Sequence, residues 1–545
     1  MPITYWLAPR ELQMFAKLQN SCSLFCYTTT ILPQHNIYLV ISLLASRSRP
    51  STLAWLFLGM FIVILIPFGL ASPLPLSDYP NHVARMHIIA HLSDSVDLAK
   101  FYAVKWEFIP NLAMDILVPL MMPTLSAESA SLVFAAISMF LMASGAIVLH
   151  RKLYGRWSLL PFASFLLLYN RHFLWGFLNY LFSVGLGLWL MAAHIHFRSR
   201  KPAFRFVLFS MLSVALLISH LHAFASYAIL VGGYEISLAW RNRGQTPWRD
   251  LAVSAAPFTL PVILFFLLSS TTDRAGEIKW STPLDKVYGL LDMVNNYSLP
   301  LDVATFVILA GLVTLGALTR RLSIHRDMRL PLTLLFIIYL CLPRLMFASF
   351  GADRRLLVMV ALAAAAAFDV RIDMLRARTT LVVGIALLFI VRIAVIGMNW
   401  VEAQRVYQPI LSAIEQLPKG ARVAVICGGD NFPYLANPPL DHVANMAVIA
   451  RDAFLNTLFA EPGKQVLRVV YGSTTPFSVD PSQTFRMDKA QFGKANPFPD
   501  VPLERFDYLM LINQRYFVRD YPAELSPVYE KDIVTLFKVA PRKSP

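Results

Sequence analysis

Residues 53–71 read LAWLFLGMFIVILIPFGLA, and the polar stretch LSDYPNHVAR follows at residues 76–85 after a short proline-flanked turn. A helix of nineteen uncharged, almost wholly apolar residues is long enough to cross a hydrocarbon core of roughly 30 Å. The polar stretch therefore lies at a membrane surface, on the side where this first span ends. We expect the rest of the chain to be organised around it.

The composition indicates a polytopic membrane protein. The 545 residues are 57% hydrophobic and only 15% charged, and the mean hydropathy is +0.55. A soluble globular chain has about 25% charged residues. The net charge of +15 does not indicate nucleic-acid binding, because the basic residues lie mostly in short loops between apolar runs. The four scattered cysteines form neither a metal motif nor a disulfide framework.

Apolar runs predict about eleven transmembrane helices between residues 53 and 398. Alternate loops contain nineteen Arg and Lys residues, whereas the short loops between them contain few, which places the N-terminus in the cytoplasm and the C-terminus outside it. Three runs, at 157–169, 206–219 and 356–368, are shorter than the usual spanning length. Residues 1–50 are predicted to be an N-terminal extension: an amphipathic surface segment or, as we favour, a weak extra span or sequence upstream of the true start.

The predicted fold class is mostly α: a polytopic membrane helical bundle with a C-terminal extracytoplasmic α/β domain. The membrane domain covers residues 51–400 and includes a first extracytoplasmic loop, 72–128, with helix-like pieces at 80–92 and about 112–122. Residues 401–545 form the α/β domain, with strands at 421–428, 466–471 and 506–513, a helix at 440–459 and a terminal hairpin at 528–539.

Asp78, His82 and Arg85 are predicted to share one face of a helix, because they are spaced by four and then three residues. One interpretation is that Ser77 or Asp78 simply caps this helix, with Pro80 in its first turn. The other is that Asp78 is a general base or a cation ligand at the mouth of a membrane cavity. Both interpretations stay open at the level of the sequence.

Further polar clusters fall on the same side of the predicted membrane. Each of them alone is typical of a solvated turn, but together they form a cationic rim that suits a phosphate or pyrophosphate headgroup. Asp115, in PNLAMDIL, is a candidate second acid, and Asn179 is interpreted as a helix–helix hydrogen bond. The candidate substrate-binding residues are Asn81, His82, Arg85, Asp115, Arg171, His172, His220, His222, Arg354 and Arg355.

The chain lacks the nucleotide-binding, zinc-protease and serine-hydrolase motifs GxxxxGK[ST], HExxH and GxSxG. The predicted spans also contain little charge, whereas ion-coupled transporters usually contain more ionisable residues inside the membrane. The polar chemistry collects at one face of the bilayer. This distribution favours an enzyme at the interface over a pump.

The order of elements resembles the GT-C superfamily, the integral-membrane glycosyltransferases that use polyprenyl-phosphate-linked sugars. The stretches that carry a closer resemblance, to bacterial membrane proteins of GT-C type, are SDYPNHVARMHII, PNLAMDIL, GFLNYLFSVGLGL, SHLHAFASYAILVGGYE, ADRRLLVMVALA and FDYLMLIN. The architectural likeness covers about residues 50–545. It implies location in the bacterial inner membrane, with the C-terminal domain in the periplasm or outside the cell.

The resemblance implies that Asp78 matches the first-loop acid that acts as catalytic base or helps to hold a metal. The paired Asp-Glu motif of some members is absent, because Tyr79 follows Asp78, so a requirement for a divalent cation such as Mg²⁺ or Mn²⁺ is left open. The implied reaction moves a sugar from a polyprenyl-phosphate donor to an envelope glycan, lipid or protein. His82, Arg85, Arg354 and Arg355 would stabilise the departing lipid phosphate.

Two other functions remain. The first is a non-enzymatic membrane protein for lipid or polysaccharide export or for envelope assembly, which would tolerate Asp78→Asn. The second is a different lipid-linked transferase, such as a polysaccharide ligase or polymerase. Such enzymes usually place their key Arg and His in a long late loop, and the loop at 271–302 contains one Arg and no His.

Overall fold

The computed structural model describes residues 50–241, 247–269, 278–346, 349–371, 375–428, 439–471, 485–487, 501–512 and 521–540. The expected N-terminal extension, Cys22 and Cys26 lie outside the described residues, apart from residue 50. Two units follow each other along the chain, a helical bundle and a sheet-containing C-terminal region. The predicted fold class, mostly α with a C-terminal α/β region, is confirmed.

The α-helices, numbered in chain order over the described residues, are α1 Pro50–Leu65, α2 Tyr79–His91, α3 Val96–Phe101, α4 Ala113–Met121, α5 Ala127–Tyr154, α6 Arg171–Trp175, α7 Leu178–Phe197, α8 Pro202–Ser219, α9 Leu221–Arg241, α10 Pro247–Ala255, α11 Thr259–Leu268, α12 Pro283–Gly289, α13 Leu299–Leu318, α14 Arg326–Cys341, α15 Ala352–Ala367, α16 Leu375–Glu415 and α17 Met446–Arg451. The first loop contains α2 and α4 close to their predicted positions.

Seven helical segments within the described ranges are long and apolar enough to cross a membrane: Pro50–Gly69, Ala127–Tyr154, Leu178–Phe197, Pro202–Ser219, Trp248–Leu268, Leu299–Leu318 and Arg376–Glu415. The other four predicted spans are not among these seven segments. The run at 157–169 contains the 3₁₀ helix Leu160–Leu167, and the remaining three correspond to α9, α14 and α15. These three helices have 21, 16 and 16 residues and pack within the bundle.

The bundle is held together by a close crossing of α5 and α7. A Cβ atom on Gly185 of α7 would lie 2.6 Å from the backbone and Cβ of Leu141, and one on Gly145 would lie 2.9 Å from the Cβ of Leu188. Small residues let membrane helices approach to backbone contact, where van der Waals packing replaces the hydrophobic effect that lipid cannot supply. This crossing fixes the position of the first residues of α7, which matter for the site.

The strands are β1 Tyr102–Val104, β2 Leu322–Ile324, β3 Leu345–Met346, β4 Ser349–Phe350, β5 Phe368–Val370, β6 Arg422–Gly428, β7 Phe454–Leu455, β8 Leu467–Val469, β9 Phe485–Met487, β10 Tyr508–Ile512, β11 Leu525–Lys531 and β12 Val534–Val539. The C-terminal sheet has the order β11-β12-β10-β6-β7, and β9 also pairs with β6. Its buried strand β6 runs parallel to β10 and β7, and β10 is antiparallel to β12.

One prediction for the C-terminal region needs correction. The run at 440–459 is mostly not helical: it contains the 3₁₀ turn Val443–Asn445, the short helix α17 and the strand β7. Strand β8 does not join the main sheet but pairs antiparallel with β1 of the first loop, Tyr102 opposite Val469. The reason is that the first loop packs against the C-terminal region and offers β8 an unpaired strand edge.

Helix α16 runs without a break from the bundle into the C-terminal region and passes the expected boundary at residue 400. The first loop provides a second connection, since the Arg468 guanidinium donates to Glu107 over 2.9 Å. The first loop and the C-terminal region therefore meet beside the bundle. The candidate site lies at this junction.

Candidate active site

A cavity of about 360 Å³ lies where the first loop, the bundle and the C-terminal region meet. Five of the predicted site residues line it: Asp78, His82, His220, His222 and Arg355. They come from three separate parts of the chain. Its polar lining also includes residues that were not predicted as site residues, namely Asn111, Asn179, Tyr180, Ser349, Glu461, Lys464 and Gln465.

Asp78 occupies the N-cap position of α2, but its side chain makes no capping hydrogen bond. A capping residue normally has an extended backbone, whereas Asp78 has helical angles, φ −91° and ψ −4°. Its own N–H donates to the carbonyl of Trp175 over 3.0 Å. The backbone is thus anchored to the end of α6, and the carboxylate, which lines the cavity, is not used as a cap.

Burial of the Asp78 carboxyl raises its pKa to about 7, against the opposing effect of the cations Arg355 and Arg85. Asp441 raises this pKa further. A carboxylate with a pKa near 7 is a far stronger base than an ordinary aspartate and is still ionised in about half of the molecules at neutral pH. Titratable groups with such shifts are concentrated at catalytic sites.

The geometry around His82 defines its tautomer. Nε2 lies 3.0 Å from the carbonyl oxygen of Gly176, and Nδ1 lies 3.2 Å from Nη2 of Arg85. A carbonyl only accepts and a guanidinium only donates, so Nε2 carries the proton and Nδ1 is bare. Burial lowers the pKa of His82 to about 3, and the Arg85 charge contributes to this decrease. His82 is therefore a neutral imidazole.

Arg85 and Asp115 form a buried ion pair behind His82. Nε and Nη2 of Arg85 donate to the two carboxylate oxygens of Asp115 over 2.7 and 3.2 Å, and both side chains are only 2% exposed. Neither residue lines the cavity. Held by this pair, Arg85 fixes the orientation of His82 and places its guanidinium charge near Asp78.

Arg355 is the arginine that lines the cavity itself. Its Nη2 donates to the carbonyl of Phe350 over 3.2 Å, and its guanidinium lies 4.5 Å from the centroid of the Phe177 ring. The Tyr180 hydroxyl donates to its backbone carbonyl. Its Nε is buried and has no hydrogen-bond partner among the described residues. Arg355 is thus positioned with donor capacity left for an anion.

Arg171, His172 and Arg354 lie behind the cavity wall rather than in it. The guanidinium groups of Arg171 and Arg354 both pair with Asp292, over 3.3 and 3.1 Å. Burial, together with Arg355, Arg171 and Arg354, lowers the pKa of His172 well below its usual value. Sequence reasoning missed Asp292, which lies more than sixty residues from either arginine and has no local motif.

His220 lies between α8 and α9 and His222 lies in the first turn of α9, with ring centroids 5.7 Å apart. Nδ1 of His220 accepts a hydrogen bond from the backbone N–H of His222 over 3.2 Å. Asn179 was interpreted as a helix–helix hydrogen bond, and it joins α7 to the first turn of α4 and to Asn111 just before that helix. Its Oδ1 accepts from the Met114 N–H and its Nδ2 donates to the carbonyl of Asn111, over 2.7 and 2.6 Å.

Asn81 does not line the cavity and is completely buried. Its Oδ1 accepts hydrogen bonds from Nδ2 of Asn445 and from the backbone N–H of Phe459, over 2.8 and 3.0 Å. Phe459 also belongs to the cavity wall, as do Glu461, Lys464 and Gln465. The sequence signal for this wall was the Pro462-Gly463 pair, which is typical of a tight turn.

Within the described ranges, no group of three or more His, Cys, Asp or Glu residues is arranged to hold a metal ion. The Asp78 carboxylate is the cavity's predicted cation ligand, and His82, its neighbour one turn away, already uses both ring nitrogens.

Comparison with known proteins gives one structural likeness. No protein-family model matches the chain, and no curated protein matches it. The fold is similar to that of ArnT from Cupriavidus metallidurans bound to undecaprenyl phosphate, with a TM-score of 0.48 and 11% sequence identity over 90% of this chain and 98% of that chain. This is a likeness of architecture, and it assigns no residue and no reaction to this chain.

Proposed function

We propose that the protein is a membrane glycosyltransferase of GT-C type that moves a sugar from a polyprenyl-phosphate donor to a hydroxyl group of an envelope acceptor. The observation that carries the proposal is that Asp78 and Arg355 line one cavity, with neutral His82 beside them. A base of raised pKa and a cation with a free donor are the two groups that sugar transfer from a lipid phosphate requires.

The reaction is a displacement at the anomeric carbon of the donor sugar. Asp78 removes the proton of the acceptor hydroxyl, and the acceptor oxygen forms the new glycosidic bond. The bond between the anomeric carbon and the phosphate oxygen breaks, and polyprenyl phosphate leaves with the electron pair. Arg355 stabilises the negative charge that develops on that phosphate, as preorganised donors do in a site of low dielectric.

The second cavity of the bundle supports a lipid-linked donor. It has a volume of about 700 Å³ and an almost wholly apolar lining from α13, α15 and α16. It extends along α13, from Val294 before the helix to Arg321 after it. Val294 lies two residues after Asp292. On α15 it is lined by alanines, Ala361, Ala364 and Ala365, which leave room for a chain. We assign the prenyl chain to it.

The proposal places the reaction at the extracytoplasmic surface of the bacterial inner membrane. The charge distribution of the loops supports this orientation, since the basic loops are expected in the cytoplasm. The acceptor is then a glycan, lipid or protein of the envelope, and it reaches the cavity from the periplasmic side.

The test compares wild type with Asp78→Asn and Arg355→Met, each purified in lipid nanodiscs and supplied with a panel of polyprenyl-phosphate sugars. Release of free polyprenyl phosphate measures turnover. We expect Asp78→Asn to lose at least about 100-fold in turnover with donor binding intact, because general-base catalysis contributes about 10²–10⁴-fold. Arg354→Met is the control for Arg355→Met, because Arg354 pairs with Asp292 outside the cavity.

Equal turnover in wild type and Asp78→Asn would remove Asp78 from the chemistry. Saturable binding of lipid or glycan by wild type without turnover of any donor would contradict the enzyme and favour the function in export or envelope assembly.

A further inference from the structure

One wall of the cavity belongs to the C-terminal region and consists of residues 459–465, named here the acceptor wall. Glu461, Pro462, Gly463 and Lys464 form a tight turn in which the Lys464 N–H donates to the Glu461 carbonyl over 3.2 Å. Gly463 has φ +75°, as the third residue of a type II turn requires, and it follows a proline, which is common at the second position. The turn is therefore rigid in itself, and its position depends on what holds its ends.

Three buried polar side chains hold the start of this wall. The Thr457 hydroxyl donates to Oδ1 of Asn445 over 2.6 Å, and Nδ2 of Asn445 donates to Oδ1 of Asn81 over 2.8 Å. The same Asn81 oxygen accepts the Phe459 N–H over 3.0 Å. All three side chains are 0% exposed. Asn81 thus connects the acceptor wall to α2, three residues after Asp78.

We infer that Asn81 is a positioning residue that holds the acceptor wall over Asp78, and that this wall selects the acceptor. If Asn81 becomes leucine, the Phe459 N–H loses its acceptor inside a dry environment, and the Asn445 amide keeps only its longer contact with the Thr457 carbonyl, 3.4 Å. Buried donors without partners are costly, so the wall moves away until water reaches them. The cavity then opens on the side of Asp78.

The chemistry of the wall indicates the part of the acceptor that it contacts. Lys464 and Glu461 pair over 2.6 Å, and both of them line the cavity together with the Gln465 side chain. An acyl chain cannot form hydrogen bonds with a charged wall, whereas hydroxyl groups can. The hydrophilic part of the acceptor therefore lies against the C-terminal region. This second half of the inference rests on the proposed function.

The first experiment measures water access to Asp78 and needs no substrate. The protein in nanodiscs is treated with a water-soluble carbodiimide and glycine methyl ester, and labelling at Asp78 is followed by mass spectrometry. We expect Asn81→Leu to label at least threefold faster than wild type. Asn81→Asp keeps an acceptor oxygen for both donors, so Asp78 should be labelled at the wild-type rate in this variant. Peptide fragmentation identifies which carboxylate is labelled.

His87→Leu is the matched control. His87 lies on the same helix and contacts the same C-terminal region through Asp452, with Nε2 3.3 Å from Oδ1, but it does not line the cavity. We expect it to label at the wild-type rate. Wild-type labelling in Asn81→Leu, or equal acceleration in His87→Leu, would overturn the positioning role.

The second experiment uses donor turnover and separates this inference from the proposed function. Sugar released to water and sugar transferred to octyl glucoside are counted for wild type and Asn81→Leu. We expect the ratio of hydrolysis to transfer and the KM for octyl glucoside to rise at least fivefold in the variant, with donor KM unchanged. An unchanged ratio would overturn the acceptor role. A wild type that turns over no donor would overturn the proposed function, while the labelling still decides the role of Asn81.

Discussion

The carbonyl oxygen of Gly176 lies 3.0 Å from Nε2 of His82, and a Cβ atom on Gly176 would lie 3.0 Å from the backbone nitrogen of Asp78. One glycine therefore supports two cavity residues at once. It ends α6 with φ +87°, a backbone conformation that L side chains rarely adopt. The short helix α6 and its terminal glycine determine where the Asp78 carboxylate lies.

Gly176→Ala should lose activity as well as stability. The added methyl group contacts the backbone of Asp78 and displaces it, and a shift of about 1 Å at a reacting group costs on the order of 100-fold in rate. Gly155→Ala is the matched control, because Gly155 also ends a helix with φ +69° but a Cβ atom added to it would have no neighbour within 4 Å. It should lose about 1 kcal/mol in the free energy of unfolding and no activity. Equal activity in both variants would contradict the role of Gly176.

The pH dependence of the reaction should report Asp78. Because burial raises the pKa of Asp78 to about 7, kcat/KM should increase with pH up to about 7 and then level off as the base becomes ionised. Arg355 lowers this pKa through its charge, so Arg355→Met should move the rising limb to higher pH. Arg354→Met should leave it in place. A limb that stays at the same pH in Arg355→Met would show that another group is titrating.

Removing one partner of the buried ion pair of Arg85 and Asp115 should destabilise the protein more than removing both. Asp115→Leu leaves the Arg85 guanidinium buried without its carboxylate and should lower the free energy of unfolding by about 3–5 kcal/mol. Arg85→Met with Asp115→Leu removes both charges and should recover most of this loss. Chemical denaturation in detergent measures both. A double variant as unstable as Asp115→Leu would contradict the ion pair as the cause.

The apolar cavity should bind the lipid part of the donor. Ala310 lines this cavity and Ala304, on the same helix α13, does not, although both side chains are exposed in the isolated chain. Ala310→Phe should fill part of the cavity and raise the donor KM about tenfold, whereas Ala304→Phe should leave it unchanged. Titration with polyprenyl phosphate, followed by intrinsic fluorescence, gives an independent measure. Equal affinities in the two variants would place the lipid chain elsewhere.

Much of the architecture could be predicted from local patterns in the sequence. A helix that crosses a membrane needs about twenty apolar residues in succession, and seven such segments are helices in the described part of the chain. The first-loop helices and the buried strands β6 and β10 follow from the same kind of short-range periodicity. The spacing of Asp78 and His82 on one helix face was also sufficient to predict that they lie together.

The sequence by itself therefore determined the membrane-embedded helices, the sheet of the C-terminal region and the acid that follows the first span. Only the tertiary structure decided that Asp78 does not cap its helix, that Arg355 rather than Arg354 lines the cavity, and that residues 459–465 complete it. Asn81 and Phe459 are 378 residues apart, and no local periodicity connects them. The physical reason is that helices and strands form from neighbouring residues, whereas a buried cavity is defined by packing between segments that are distant in the chain.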